Sequence, residues 1–437
     1  MSAIRDYVME HELFCHHDHH ADYVEFDAGR EGYDYASLLG YATADLITAE
    51  GPRRLGGETR GRSPAPPMER GRIERLWPAI RVTGYGRAVD LTCRALFDLP
   101  YSPEHWDAID EALQAAIENK TAEEVYRHFV HKQAENTWTL HDGRMRLDNP
   151  RALTPGLYPA SYRFAFRMDS LFTMVDAAPL DELEHFTGRS IHTLDDAVDV
   201  LNVAIDRFAE TGELAAIKIG MAYNRELAVD DPTHHEAELA FNRIRSRKVF
   251  WDGMQQNSGA VDAAASRALG DYFFHQLIRR ADADNLPVQI HTGYLAGNWG
   301  SLGGTKAMLL IPILDKYRRV RFDFFHASWP WTSELGAMAK NYSNLWPDLC
   351  WAWAMNPTES ARALSEWIDG VPFTKILGYG ADTRLPWCNV GYSLQAKDGI
   401  AWVLEEKIAR GFLSESTARE VADRIMLQNG EELFDLS

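Results

Sequence analysis

The sequence predicts an α/β protein, a (β/α)8 barrel with a large helical insertion after its first strand. Three observations carry that prediction. From about residue 190 onward, segments of helical periodicity alternate with short apolar runs, the pattern that builds a parallel sheet covered by helices. Three of those runs carry a polar residue at or near their C-terminal end, His291 in VQIHTG, His326 in DFFHAS and Asp382 in GYGAD. That is the end at which an α/β barrel gathers its catalytic groups. Between residues 51 and 72 lies GPRRLGGETRGRSPAPPMERGR, rich in Gly, Pro and Arg, which interrupts the pattern after the first strand.

In chain order, ELFCHHDHH (12–20) reads as the first strand, with the apolar lead-in Leu13, Phe14 and Cys15 arguing for burial. Segment 51–72 reads as a long loop of the kind used for lids, and RLWPAIRVTGYGRAVDLTCRALFDLP after it is helical, so residues from roughly 25 to 120 form the insertion. HFVHKQAENTWTLHD and YRFAFRMD supply the second and third strands. AAIKIGMA (215–222), LPVQIHT (286–292), VRFDFFHA (320–327), DLCWAWA (348–354) and TKILGYGAD (374–382) complete the ring. After DLCWAWA, Asn356 caps a helix whose first residue is Pro357, with Glu359 reaching back to free amides. Ala361, Leu364 and Trp367/Ile368 share its apolar face.

The chain of 437 residues reads as one decorated barrel domain spanning 1–437. Hydrophobic residues at 46% supply a full core, and a formal net charge of -19 disfavours nucleic acid, whose phosphates demand a local excess of Lys and Arg. Cys15, Cys93, Cys350 and Cys388 are scattered without CxxC pairing, so neither a thiolate zinc site nor a disulfide framework is indicated. MSAIRDYVMEHELF lacks the basic and apolar regions of an export signal, and no run approaches the roughly 20 apolar residues of a membrane span. A cytoplasmic protein acting on a small molecule, without nucleic-acid or membrane partners, is the expectation; self-association into a homo-oligomer is left open.

Five metal-capable residues run from His16 to His20. Alternate side chains on a strand share a face, so His17 and His19 can converge on one ion, whereas a slip of one register would present His16, Asp18 and His20. A solvated, tag-like tract is the bland alternative. Zinc takes imidazole and carboxylate ligands and leaves a position open for water, and residues distant in sequence meet around a barrel axis. Lys218, inside AAIKIG, is an ammonium in an apolar run and needs a partner. It reads as a carbamylated lysine bridging two metals, as a cation for a substrate carboxylate, or as a side chain reaching solvent along its stem. Trp299, Trp329, Trp331, Trp351 and Trp353 fall on or after strand ends, either lining an aromatic pocket or filling core. Arg384 can hold a substrate carboxylate with two parallel N–H bonds or join a surface salt bridge.

HxH at the first strand, Lys at the fourth, His at the fifth and sixth and Asp at the eighth resemble the amidohydrolase superfamily over most of the chain. SLLGYATADLITAEG, LWPAIRVTGYGRAV, VQIHTGY, FFHASWP and KILGYGADTR are similar to the branch that contains uronate isomerase and the amidohydrolase domains related to glutamine-synthetase fusions. The resemblance implies a divalent metal, zinc with manganese or iron as alternatives, as one or two ions on His17, His19, Lys218, His291 and Asp382. It implies that Asp382 moves the proton of an activated water and that His326 or His291 completes the coordination or polarises the scissile carbonyl; Arg384, Trp299 and Trp329 remain the candidates to face the substrate. Hydrolysis of an amide, ester or related C–N bond is the implied reaction. Uronate isomerisation, non-oxidative decarboxylation and a catalytically inactive, metal-stabilised binding protein are the alternatives. Two departures stand out: Cys15, where many members carry Asp two residues before HxH, and the tryptophan-rich WAWA.

Overall fold

Seven short strands pair in parallel, each with its neighbour in sequence: β1 (Leu13–Asp18), β2 (Asn136–His141), β3 (Tyr162–Arg167), β4 (Leu214–Ile219), β5 (Val288–Ile290), β6 (Phe322–Phe324) and β7 (Leu345–Pro347). The protein is seen here as a computed structural model that describes residues 2–51, 68–246, 251–252, 255–256 and 262–436. β1 is buried along its whole length, as a strand covered on both faces must be.

The eighth position is filled differently from the prediction. TKILGYGAD forms no regular strand; residues 377–383 instead lie between β7 and β1 and bond to both. On one side Leu377 N donates to Pro347 O and Leu349 N to Leu377 O; on the other His16 N donates to Tyr379 O, Asp382 N to His17 O and His19 N to Thr383 O. These bonds close the ring without a strand's regular register. Glycine explains the irregular path: a Cβ at Gly380 would stand 2.5 Å from Cys350 Sγ, so the backbone comes nearer to its neighbour than any other residue permits.

The seventh strand is also displaced. DLCWAWA was expected to run from 348 to 354, but β7 ends at Pro347 and Ala352–Met355 is a short helix entered through a left-handed Trp351 (φ 60°). A short apolar run reads alike in a buried strand and a buried helix, so periodicity could not separate them. The helix Pro357–Gly370 follows as predicted, with Asn356 accepting from Glu359 N and with Ala361, Leu364 and Trp367 buried. Glu359 does not reach back to the cap; its carboxylate accepts instead from the Thr332 hydroxyl.

Between β1 and β2 the predicted insertion is helical, with Ala42–Glu50, Arg70–Ile80, Gly84–Phe97 and Trp106–Ile117 as its main helices. Most of the expected 51–72 loop lies outside the described residues. Its end differs from expectation, because helix begins at Arg70, where Ile73, Leu76, Trp77 and Ile80 already make one buried face. The front half of HFVHKQAENTWTLHD is likewise helix, Arg127–Gln133 being a π-helical turn. None of the described helices is long and apolar enough to cross a membrane.

The ring's lower interior is apolar, with Phe14 stacked on Phe434 of the C-terminal segment (ring centroids 5.7 Å apart) and Leu140, Ala216 and Leu377 around them. Above it a polar layer crosses the barrel. Gln289 on β5 donates to His16 O on the opposite strand β1 (3.0 Å) and to Asp323 Oδ2 (3.0 Å), while His16 Nδ1 lies 3.2 Å from Asp348 Oδ1. All four side chains are fully buried. Burial, which disfavours charge, pushes the Asp348 carboxyl up to about 8.

Gly380→Ala will lower the unfolding midpoint, by overpacking worth about 1–3 kcal/mol; a variant as stable as wild type in denaturant titration would contradict the close approach. Because the folded pKa of Asp348 is raised, the native state holds a proton that the unfolded chain releases near pH 4, so Asp348 makes stability fall as pH rises toward 8. One such proton contributes about 1.4 kcal/mol per pH unit at most. Asp348→Asn should therefore lose less stability than wild type between pH 6 and 8; parallel curves would refute the assignment.

Candidate metal centre

The C-terminal ends of the strands bring together side chains from the whole length of the chain. His17 and His19 come from the end of β1 and its exit. Asp142 follows β2 by one residue, Arg167 ends β3, Lys218 is the last residue but one of β4, His291 and His326 follow β5 and β6, and Asp382 lies in the closing segment. His17 Nε2 and His19 Nε2 are 3.1 Å apart. Asp382 Oδ1 is 3.0 Å from His19 Nε2 and 3.9 Å from His17 Nε2, and one donor atom from each of the three residues lies within 4.8 Å of the others. The one-residue slip is not the arrangement found: His16 points into the polar layer, and Asp18 and His20 turn outward to Asn389.

The hydrogen bonds fix which imidazole nitrogens carry protons. Carbonyl and carboxylate oxygens only accept, so His19 Nδ1 donates to Asp142 Oδ1 (2.6 Å), His291 Nε2 to Tyr294 O (2.9 Å) and His326 Nδ1 to Cys350 O (2.9 Å). In the neutral rings the opposite nitrogens are bare lone pairs. His291 Nδ1 and His326 Nε2 nevertheless face each other at 3.0 Å, and His326 Nε2 lies 3.7 Å from Asp382 Oδ2. Two acceptors at that distance repel unless something positive sits beside them.

Electrostatics points the same way. Burial alone would lower His19, but the carboxylates of Asp142 and Asp382 outweigh it and raise its pKa to about 9. Burial pushes His326 down to about 4 and, with the His326 and Lys218 charges, pushes His291 well below the usual imidazole range. Burial would raise Asp382, yet the His19 hydrogen bond and the surrounding imidazoles hold it well below the usual carboxylate range. The pocket thus favours positive charge between two carboxylates while leaving several imidazoles unprotonated. A divalent cation meets both demands, and the donor set of imidazole and carboxylate suits zinc.

Four further groups complete the centre, and the sequence reading passed over three of them. Asp142 is buried between His19, Arg167 (Nη1 to Oδ2, 2.6 Å) and His17 Nε2 (3.8 Å). It orients His19, the support that the absence of Asp at position 15 put in doubt; Cys15 instead accepts a hydrogen bond from Ala381 N. Arg167 also bonds Asp169 (2.7 Å). The Tyr41 hydroxyl donates to Asp382 Oδ1 at 3.1 Å. Asp142 had the signal used for His291, a polar residue closing an apolar run, but Tyr41 has none. Lys218, the fourth, does not reach solvent: it is 2% exposed, its Nζ 3.4 Å from His17 Nε2 and 3.8 Å from the Phe325 ring centroid, and burial lowers its pKa.

The substrate-facing expectations separate. Trp351 and Trp353 are core, Trp351 packing on His326 (5.0 Å) and Tyr41 (4.8 Å) and Trp353 donating to Gly378 O. Trp329 is half-buried against Tyr294. Trp299 is 71% exposed, and Arg384 is exposed with no ion pair among the described residues. His326 and Asp382 both adopt left-handed backbone (φ 64° and 54°), as do Ala327, Ser328 and Trp351 beside them.

Comparison with known proteins bears on the fold and the family. Uronate isomerase from Thermotoga maritima superimposes with a TM-score of 0.76 over 99% of this chain and 96% of that one, at 14% identity. A Lactobacillus casei protein described as a metal-dependent hydrolase does so with a TM-score of 0.67 over 100% and 98%, at 15% identity. At these identities the likeness shows the fold, a β/α barrel. Protein fluG of Emericella nidulans is 26% identical over 196 residues, 44% of this chain and 22% of that protein, so the chain spans well under half the length of this relative. The family model described as Amidohydrolase matches residues 162–436, which take in every strand end from β3 onward and Asp382. More than half of the sequence thus fits one family, and the chain belongs to the amidohydrolases.

Proposed function

We propose that this protein is a metal-dependent hydrolase that cleaves an amide, ester or related C–N bond of a small molecule. The observation that carries the reading is the facing of unprotonated imidazole nitrogens, His291 Nδ1 and His326 Nε2 at 3.0 Å, beside the His17, His19 and Asp382 cluster. His17, His19 and Asp382 would hold zinc, with manganese or iron as alternatives, and a second ion would take His291 and a carbamylated Lys218. A divalent cation, when bound there, would supply a water whose pKa is lowered to about 7 and a Lewis acid for a substrate carbonyl. Tyr41 donates to Asp382 Oδ1, the oxygen 3.0 Å from His19 Nε2 that would share the cation with it, which leaves Oδ2 to take the proton of the attacking water and return it to the leaving group. His326 Nε2, 3.7 Å from Oδ2, presents a lone pair and would complete the coordination of the cation, which would itself steady the carbonyl oxygen as charge develops. Arg384, exposed and without an ion pair among the described residues, would pair with a substrate carboxylate, and the exposed Trp299 and half-buried Trp329 would offer it aromatic faces.

A second reading is isomerisation of a uronate, favoured by the superposition on uronate isomerase along nearly the whole chain. The additional imidazoles and Lys218 favour hydrolysis over it. Metal analysis of protein purified without chelator should find one or two ions per chain. Asp382→Asn should cost about 10²–10⁴-fold in kcat with the fold retained by circular dichroism. N-acyl amino acids, lactones, uronates and aromatic carboxylates form the substrate panel. Turnover of uronates alone would replace hydrolysis by isomerisation, and a fully active Asp382→Asn variant would remove Asp382 from the proton transfer.

A further inference from the structure

Asp18, between the two imidazoles of the HxH pair, takes no part in the chemistry proposed above. Its side chain is fully buried and turned away from the centre. Oδ1 accepts from His19 N (3.1 Å), from Thr383 N (2.7 Å) and from the Thr383 hydroxyl (3.1 Å). Oδ2 accepts from Asn389 Nδ2 (2.9 Å) and lies 3.1 Å from His20 Nε2. One carboxylate therefore bonds to the residue that carries His19 and to the residue that follows Asp382, on opposite sides of the seam between β1 and the closing segment.

We infer that Asp18 is a positioning residue that sets the separation of His17 and His19 from Asp382 and thereby the cation affinity of the centre. The inference rests on the metal-centre reading above. The backbone bonds from Asp382 N to His17 O and from His19 N to Thr383 O fix the seam's register through the main chain alone. The Asp18 carboxylate adds a side-chain clamp across it, holding Thr383 through two atoms and His19 through its amide. Only a carboxylate suits the place. Every neighbour named except the His20 ring offers a hydrogen, and an amide at position 18 would turn an NH2 group toward either Thr383 N–H or Asn389 NH2, donor against donor.

The test uses full-length protein stripped with chelator and zinc alone as probe. Zinc affinity is read by competition with a chromophoric chelator, and the visible spectrum of the cobalt(II)-loaded protein reports ligand geometry. Asp18→Asn should bind zinc about 10–100-fold more weakly, with a shifted cobalt spectrum. A purely structural role would instead lower the unfolding temperature of the stripped protein and leave the affinity of its folded fraction unchanged. Thr383→Val, which keeps the backbone amide, should weaken binding several-fold, and Thr383→Ser should restore it. Wild-type affinity and spectrum in folded Asp18→Asn overturn the inference; should that variant not fold, wild-type affinity in Thr383→Val does so. Zinc-binding wild type with unaffected variants refutes this inference alone, whereas wild type that binds no zinc refutes the metal-centre reading and this inference with it.

Discussion

The seam between β1 and residues 377–383 is the constraint on which the site depends. It brings His17 and His19 against Asp382 across most of the chain through ordinary backbone hydrogen bonds. Those bonds belong to the closing of the ring, so cluster geometry and barrel closure are one event in folding. A barrel left open at this seam would retain most of its core and lose the cluster. The glycine at 380 and the buried sulfur of Cys350 serve the same end, since they let the last segment lie close enough to bond on both sides.

Charge is organised in two tiers around that seam. At the mouth, Asp142 and Asp382 are held ionised by imidazoles and by Arg167, so anionic charge is concentrated where a cation would sit. Beneath it, Asp323 and Asp348 lie in surroundings that favour their protonated forms, burial pushing both upward. The lower pair contributes hydrogen bonds across the barrel without adding to the negative field above. Carboxylates on neighbouring levels of one barrel thus carry opposite protonation, set by the presence or absence of facing cations.

Much of this was legible in the sequence, and the failures have physical causes. The alternation of apolar runs and helical segments gave β4 to β6 and the insertion, because burial on both faces of a parallel strand leaves a continuous apolar run. His17, His19, His291, His326 and Asp382 stood out because polar residues at the ends of such runs are expensive unless they are used. Asp142 and Arg167 obey the same rule but follow weaker runs. Tyr41 comes from the insertion, and no local pattern says where an insertion folds back. WAWA and TKILGYGAD misled because apolarity reports burial, not backbone conformation.

The left-handed residues at the rim bear on how this fold trades durability for reactivity. His326, Ala327, Ser328, Trp351 and Asp382 lack the freedom of glycine, and each non-glycine residue held in that region costs about 1–2 kcal/mol. Elsewhere Asp98, Asn119, Glu135, Asn285, Trp299 and Asp435 adopt it singly, so the tension is concentrated at the edge where the reactive groups sit. Replacements that relaxed that edge would be easy to select for heat resistance and would loosen the very side chains the chemistry requires. Thermal hardening of this scaffold is better sought far from the mouth, in the helices that wrap it.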